Sequence, residues 1–145
     1  MKREDMDRLI EAHLAAEQAK DPLGAVAMYT DDVEHDDVGF PSGPLHGKAA
    51  AVGFYEYLTA NVDVEAMTPA HSYYGEDFCV IEHATTGTVL GELLGVPGNG
   101  RRITFRMLHV WEFRDGLMSR ENVWLDGAAI VAQLTASPVG TAAAR

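Results

Sequence analysis

The sequence predicts an α+β fold in which helices pack on one face of a curved, mostly antiparallel sheet. Apolar residues recur at helical spacing through most of the first 61 residues, and the pattern changes to the two-residue alternation of strands between residues 62 and 125. Helices that precede long strands, instead of alternating with them, are typical of an α+β domain. Because the helices and the sheet form two layers, we expect a pocket between them.

Three helices are predicted ahead of the strands. Residues 4–20 place apolar side chains on one face and charges on the other, which indicates an amphipathic helix. Asp21 and Pro22 provide an N-cap and a proline at the first helical position, so a second short helix is expected to run to about residue 29. After a loop at residues 39–47, rich in proline and glycine, the apolar spacing of residues 48–61 predicts the third helix.

Four strands and a final helix follow. The strands are predicted at residues 62–71, 78–90, 101–113 and 117–125, with a long loop or bulged connection at 91–100. Asp115-Gly116, between the last two strands, is a strong β-hairpin signal. Asp126 is placed to cap a last helix at residues 127–134. No break in composition divides the chain, so we expect one domain over residues 1–134 and a disordered tail over residues 135–145.

Composition excludes several classes of protein. A chain of 145 residues, 47% of them apolar, can bury a core, which argues against intrinsic disorder. A formal net charge of −11 without any Lys/Arg run excludes nucleic-acid binding as the leading interpretation. Cys79 is the only cysteine, so no internal disulfide is possible. No apolar stretch approaches about 20 residues and the N-terminus lacks a signal-peptide core, so we expect a cytoplasmic protein with no membrane partner.

The segment at residues 31–37, DDVEHDD, holds five acids in seven residues. Such a charge run predicts a solvated turn that leads into a short strand. Histidine and aspartate are common metal ligands, and this part of the chain supplies His35, Asp36, Asp37 and His46. Their spacing matches no metal-binding motif. We therefore expect no metal here.

His109 is the most informative single residue. In the strand at residues 101–113 it shares a face with Phe105, Met107 and Trp111, so its imidazole lies on an otherwise apolar surface. A histidine there is either a structural residue with hydrogen-bonded ring nitrogens or an acid/base group, since its reference pKa lies close to neutral pH.

The residue opposite His109 in the hairpin depends on the turn. A two-residue turn places Asn122 opposite His109, with Trp124 and Asp126 on the same face. A three-residue turn with a bulge places Glu121 opposite instead. The sequence leaves both registers open, and each gives His109 a polar neighbour.

The second half of the chain also carries several short motifs. They are Gly87 and Gly91 in G-x3-G spacing, then Gly95, Pro97 and Arg101 in G-x-P-x3-R spacing, the Asp115-Gly116 turn, Asp126 and the closing Gln133-Leu134. With these motifs the chain resembles the SnoaL-like polyketide cyclases of the nuclear transport factor 2-like superfamily, from its first helix to Gln133-Leu134. The resemblance implies a cone-shaped fold, a deep apolar cavity and a homodimer.

The resemblance also implies site residues. In the cyclases an aspartate acts as the base and a histidine on the preceding strand assists it. The histidine falls on His109, whereas the aspartate position is occupied by Val123. We therefore expect His109 to be the main acid/base group. The residues left to supply the missing base or orient His109 are Asp126, Glu121 and His35.

From these residues we expect an enzyme that performs acid/base chemistry without a cofactor, an aldol-type cyclisation or an isomerisation. Its substrate would be a small, apolar or aromatic, polyketide-like ring compound. The residues expected to contact that substrate are Phe105, Met107, Glu121, Val123 and Trp124.

Two other functions remain open. One is a domain that binds an apolar ligand without catalysis, since the fold supports both. The other is a lyase similar to scytalone dehydratase, whose residue types are matched by His83, His109, Asp31 and Tyr55. In each case we expect a homodimer through the outer face of the sheet, where Leu108 and Val110 interrupt the polar positions.

Overall fold

The computed structural model describes residues 1–137 and confirms the predicted α+β class. Four helices accompany a six-stranded sheet and a short two-stranded one. The elements, in chain order, are α1 (Arg3–Gln18), α2 (Pro22–Ala25), β1 (Tyr29–Val38), β2 (Leu45–His46), α3 (Lys48–Asn61), β3 (Val62–Tyr74), β4 (Phe78–Val89), β5 (Glu92–Leu93), β6 (Val96–Pro97), β7 (Arg101–Arg114), β8 (Leu117–Leu125) and α4 (Gly127–Thr135).

The large sheet has the strand order β2-β1-β8-β7-β4-β3. All neighbouring strands are antiparallel except β1 and β8, which run parallel. Two irregularities interrupt the pairing of β3 with β4, between Val64 and Ala66 and between Pro69 and His71. Because such irregularities bend a strand, they help to curve the sheet around the helices.

The helices lie on the concave face of the sheet. α1 buries Met6, Ile10, His13 and Glu17, which recur every three or four residues along one side. The side chain of Asp21 accepts a hydrogen bond from the Gly24 amide and so caps α2, as predicted.

Four elements differ from the predictions. One is β2, which forms within the segment expected to be a loop at residues 39–47. The second helix ends at Ala25 rather than near residue 29. The acidic segment forms most of a ten-residue strand, β1, instead of a solvated turn, because every second residue from Val33 onward is buried. The segment expected as a loop before β7 contains the small hairpin β5–β6.

The C-terminal helix is capped as predicted, by Asp126, whose side chain accepts a hydrogen bond from the Ala129 amide at 3.1 Å. It reaches Thr135, the first residue of the predicted tail. Of that tail, residues 138–145 lie outside the described residues. None of the helices in the described part of the chain is long and apolar enough to cross a membrane.

The β7–β8 hairpin adopts neither of the two registers left open by the sequence. Arg114 pairs with Leu117 across a two-residue turn, but the pairing then shifts by one residue at Ser119. This bulge on β8 brings Val123 opposite His109. Since neighbouring residues of a strand face opposite sides, the shift reverses which β8 side chains point to the interior.

Candidate active site

A small, closed cavity lies between the helices and the concave face of the sheet, with a volume of about 40 Å³. Its lining is mostly apolar and includes Phe105 and Met107, as expected for the substrate pocket. Three polar residues also line it, namely Glu17, Asp37 and Thr85. We call it the inner cavity.

Asp37 is the most unusual group of the inner cavity. It is only 9% exposed, and its Oδ2 atom has no hydrogen-bond partner among the described residues. The Nε2 atom of His35 lies 3.3 Å from that oxygen, but the two are not aligned for a hydrogen bond. Burial raises the pKa of Asp37 well above its ordinary value, and the nearby carboxylates of Glu121 and Glu17 raise it further.

Glu121 is the centre of a buried hydrogen-bond network behind this cavity. Its Oε2 atom accepts hydrogen bonds from the hydroxyls of Tyr29 and Tyr55 and lies 3.3 Å from Nε2 of His13. The same nitrogen of His13 is 3.0 Å from Oε1 of Glu17.

The charges of this network follow from its contacts. Burial alone would raise the pKa of Glu121 and lower that of His13, yet their mutual attraction outweighs burial in both. The pKa of Glu121 is therefore lowered, and that of His13 is raised with a further contribution from Glu17. Nδ1 of His13 donates to the Ala25 carbonyl at 2.8 Å, so a protonated His13 directs Nε2–H at the two glutamates. The result is a buried ion pair that is almost fully hydrogen-bonded.

Tyr55 joins this ion pair to the inner cavity. Its hydroxyl lies 3.1 Å from Nε2 of His35, the residue beside Asp37. The parallel pairing of β1 with β8 produces this arrangement, because it sets His35 opposite Glu121 and Asp37 opposite Val123. A continuous set of polar groups thus runs from Glu121 to the carboxyl in the cavity.

One part of the network also has the geometry of a metal site. The ligand atoms of His13, Glu17 and Glu121 lie within 4.8 Å of one another, and these residue types bind divalent cations. The ion pair of protonated His13 with two carboxylates accounts for the same distances without a cation. Of the described residues, these three are the best placed to hold one.

His109 is buried on β7 but is not among the residues that line the inner cavity. Its Nδ1 atom shares a hydrogen bond of 3.1 Å with Nδ1 of His83, and its ring stacks on Trp111 with centroids 4.5 Å apart. Burial lowers the pKa of His109 to about 3, so the imidazole is neutral at physiological pH. Its Nε2 atom lies 3.9 Å from Oε1 of Glu121.

The bulge in β8 decides where the other predicted residues lie. Val123 and Glu121 face the interior, but neither lines the inner cavity. Glu121 belongs to the hydrogen-bond network, and Val123 lies opposite His109. The expectation that Trp124 lines the pocket is wrong, because its side chain is 53% exposed on the outer face of the sheet. Asp126 follows it at the start of α4 and caps that helix, so it is not close to His109.

The residues suggested for a dehydratase are only partly brought together. His83 and His109 are in contact, and Tyr55 belongs to the network with Glu121. Asp31 is on the surface with a fully exposed side chain, 3.4 Å from Lys48. Asp31, the only carboxylate among the four residues suggested for a dehydratase, therefore does not face the interior.

Sequence reasoning missed Asp37, Glu17 and His13. Asp37 was hidden by its acidic neighbours, which made the whole segment look solvated. The signal that identifies it is the alternation of Val33, His35 and Asp37, which places all three on one face of a strand.

A second and larger cavity, of about 570 Å³, lies next to the inner one. It is bounded by the loop after β1, by α3 and by the β5–β6 hairpin, and we call it the outer cavity. Phe40 and Phe54 line both cavities and therefore form the wall between them. Their rings meet edge to face with centroids 5.3 Å apart.

Comparisons with known proteins agree with the fold. The family model of the SnoaL-like domain matches residues 10–121. The structure of TsrD from Streptomyces laurentii superposes with a TM-score of 0.80 at 22% identity, over 94% of this chain and 99% of that one. A Xanthomonas campestris pv. campestris protein named as a polyketide cyclase gives a TM-score of 0.78 at 19% identity, over 92% and 98%.

The structure of an LEH-like epoxide hydrolase of M. tuberculosis superposes with a lower TM-score of 0.67 at 20% identity, over 88% of this chain and 86% of that one. These superpositions establish a shared fold. One fold supports several kinds of chemistry, so the reaction follows from the residues of the site. No curated protein matches the sequence.

Proposed function

The chain belongs to the SnoaL-like domain family, and on that premise we propose that it is an enzyme that performs acid/base chemistry, without a cofactor, on an apolar ring compound. The reaction class is proton transfer next to a carbonyl group, as in an aldol-type cyclisation or an isomerisation. The observation that carries this proposal is the Asp37 carboxyl, which is buried, lacks a hydrogen-bond partner at Oδ2 and faces an apolar cavity.

Asp37 has the properties of a general base. A carboxylate with a raised pKa is a stronger base than one in water, and the mostly apolar lining of the cavity limits competition from water. In the proposed step Asp37 takes a proton from the carbon next to the carbonyl, which leaves an enolate. The Asp37 carboxylic acid then returns the proton, either to another carbon in an isomerisation or to the alkoxide formed when the enolate closes a ring.

The Thr85 hydroxyl is placed to stabilise the enolate oxygen. It lines the inner cavity and donates to the sulfur of Met107 at 3.2 Å, which is a weak acceptor. Because a hydroxyl rotates freely, the same donor can turn to a developing negative charge on the substrate. His35, bonded to Tyr55 and with Nε2 3.3 Å from Oδ2 of Asp37, is a positioning residue that limits the space of the carboxyl by contact.

Hydrogen exchange measures this step without knowledge of the natural substrate. Proton removal next to a carbonyl is followed by NMR as deuterium uptake from D₂O into neutral bicyclic ketones such as 2-tetralone. We expect catalysed uptake, and a loss of about 10²- to 10⁴-fold in D37N, the magnitude typical of a general base.

The matched control is D36N, which removes the adjacent carboxyl on the other side of β1. Asp36 accepts a hydrogen bond from Asn122 and does not line the inner cavity, so D36N should keep the wild-type rate. An unchanged rate in D37N would overturn the assignment of Asp37. Binding of such ketones without any catalysed uptake would favour the non-catalytic ligand-binding domain.

The same assay applies to the role expected of His109. Both of its ring nitrogens face buried groups, namely His83 and Glu121, and the ring is not part of the cavity lining. We therefore assign the proton transfer to Asp37, and an H109N variant with full loss of uptake would return that role to His109.

A further inference from the structure

The inner cavity is too small for the ring compound that the proposed function requires. A volume of about 40 Å³ holds little more than one or two waters, whereas ligand sites generally span about 300–1,000 Å³. The outer cavity, at about 570 Å³, falls within that range. The body of a substrate therefore fits in the outer cavity, on the far side of Phe40 and Phe54.

Phe54 is the part of this wall closest to the reacting groups. Its ring lies 4.7 Å from the ring of His35, centroid to centroid, and 5.3 Å from the ring of Phe40. Phe40 also meets Tyr57, with centroids 6.1 Å apart. A ligand in the outer cavity thus contacts aromatic faces along its length, and its inner end lies against the wall next to Asp37.

The polar groups of the outer cavity indicate the charge of its ligand. Glu92 lines it, and the carboxylate of Glu92 accepts a hydrogen bond of 2.9 Å from the Tyr57 hydroxyl. Ser42 supplies a further hydroxyl, and none of the described residues that line the cavity is basic. A carboxylate or phosphate on the ligand would meet only negative or neutral groups there, and the chain as a whole carries a net charge of −11.

We propose that the outer cavity binds the ring body of an uncharged, elongated aromatic ketone whose far end carries a hydroxyl group, and that Phe40 and Phe54 admit only its small reacting end to Asp37. The hydroxyl donates to Glu92, and anionic analogues are excluded. This inference rests on the proposed function for the identity of the reacting group, but the binding it describes is measured separately from turnover.

Calorimetric titration with two probes tests the charge selection. One is 6-acetyl-2-naphthol, a neutral ring with a ketone at one end and a hydroxyl at the other, and the other is 6-acetyl-2-naphthoic acid. We expect the neutral probe to bind at least about tenfold more tightly. E92Q should reduce that preference. Equal binding of both probes, or binding of neither, would overturn the proposal.

Two tryptophan variants test the location. A Cβ atom at Gly53 would meet nothing within 4 Å, so G53W places its ring in the outer cavity without a backbone clash. The matched control is A15W, which fills a separate groove of about 340 Å³ between α1 and β3. G53W should weaken the neutral probe at least tenfold and A15W should not. The reverse result would place the ligand in the groove and overturn the proposal.

Binding and deuterium uptake, measured on the same variants, distinguish a failure of this inference from a failure of the proposed function. D37N should keep the preference for the neutral probe over the acid, because Glu92, the charged group of the outer cavity, is unchanged in that variant. Normal binding and selectivity without deuterium uptake would leave the outer-cavity assignment standing and reject the enzyme. Deuterium uptake that is lost in D37N but insensitive to G53W would do the opposite.

Discussion

A carboxyl group buried in an apolar cavity lowers the stability of a fold, and Asp37 is such a group. Desolvation disfavours its charged form, and the neighbouring Glu121 and Glu17 carboxylates add repulsion. The Oδ2 atom has no hydrogen-bond partner among the described residues, so no hydrogen bond from another part of the protein offsets this cost at that atom. Carboxyl groups that are buried at a cost to stability, with a strongly shifted pKa, are typical of functional sites.

The first residue-scale prediction is that D37N stabilises the protein increasingly as the pH rises. The pKa of Asp37 is higher in the folded than in the unfolded state, so above about pH 4 the folded protein binds more protons and loses stability with rising pH. The loss amounts to at most about 1.4 kcal/mol per pH unit until Asp37 ionises in the folded state. Asparagine does not titrate and avoids this loss.

Thermal unfolding at several pH values measures the difference. D37N and wild type should unfold at similar temperatures near pH 4 and diverge toward neutral pH, with the variant higher. D36N serves as the control and should not diverge in this way. A D37N variant that becomes less stable than wild type as the pH rises would contradict the prediction.

At the scale of elements, the register of β8 determines which residues form the site. The Ser119 bulge turns Glu121 and Val123 inward and Trp124 outward. Without the bulge, the two-residue turn would pair Asn122 with His109 and direct Trp124 into the interior. The buried ion pair of Glu121 with His13 therefore depends on one extra residue near the hairpin.

Deletion of Ser119 tests this dependence. The deletion should abolish cooperative unfolding, because it either shifts Glu121 away from His13 or strains the hairpin. S119A, the control, removes only the hydrogen bond from the Ser119 hydroxyl to the Glu112 carbonyl and should cost about 1 kcal/mol or less. A deletion variant that unfolds like wild type would show that the register does not matter.

These elements also show what the sequence could and could not predict. Helical spacing and caps located α1, α3 and α4, and the alternation of β7 placed Phe105 and Met107 in the pocket. A bulge leaves no clear mark in composition, so the exclusion of Trp124 was not predictable from spacing. Asp37 was missed because its burial depends on the pairing of β1 with β8, between residues distant in the chain.

At the scale of the whole molecule, none of the helices described over residues 1–137 covers the outer face of the sheet, and that face carries apolar side chains. Leu108 is 36% exposed and Trp124 is 53% exposed there, next to Val110. An antiparallel sheet with an apolar patch on its open face is stabilised by a partner. A homodimer through this face remains our prediction.

Analytical sedimentation measures whether the protein is a homodimer. We expect a species of twice the 15.7 kDa chain mass, and dissociation to that mass in L108E. L23E is the matched control, because Leu23 is 70% exposed on α2, away from the sheet. A wild-type protein that sediments at the single-chain mass at micromolar concentration would contradict the dimer.

The central claim, that Asp37 is an acid/base group held in an apolar cavity, is tested most directly by the titration of its carboxyl carbon by ¹³C NMR. The signal is assigned by its disappearance in D37N and followed with pH in the wild-type protein. We predict a pKa well above the ordinary aspartate value of about 3.9, as burial and the neighbouring carboxylates require. A carboxyl that titrates at or below that ordinary value would show that Asp37 is solvated or paired, and would contradict the claim.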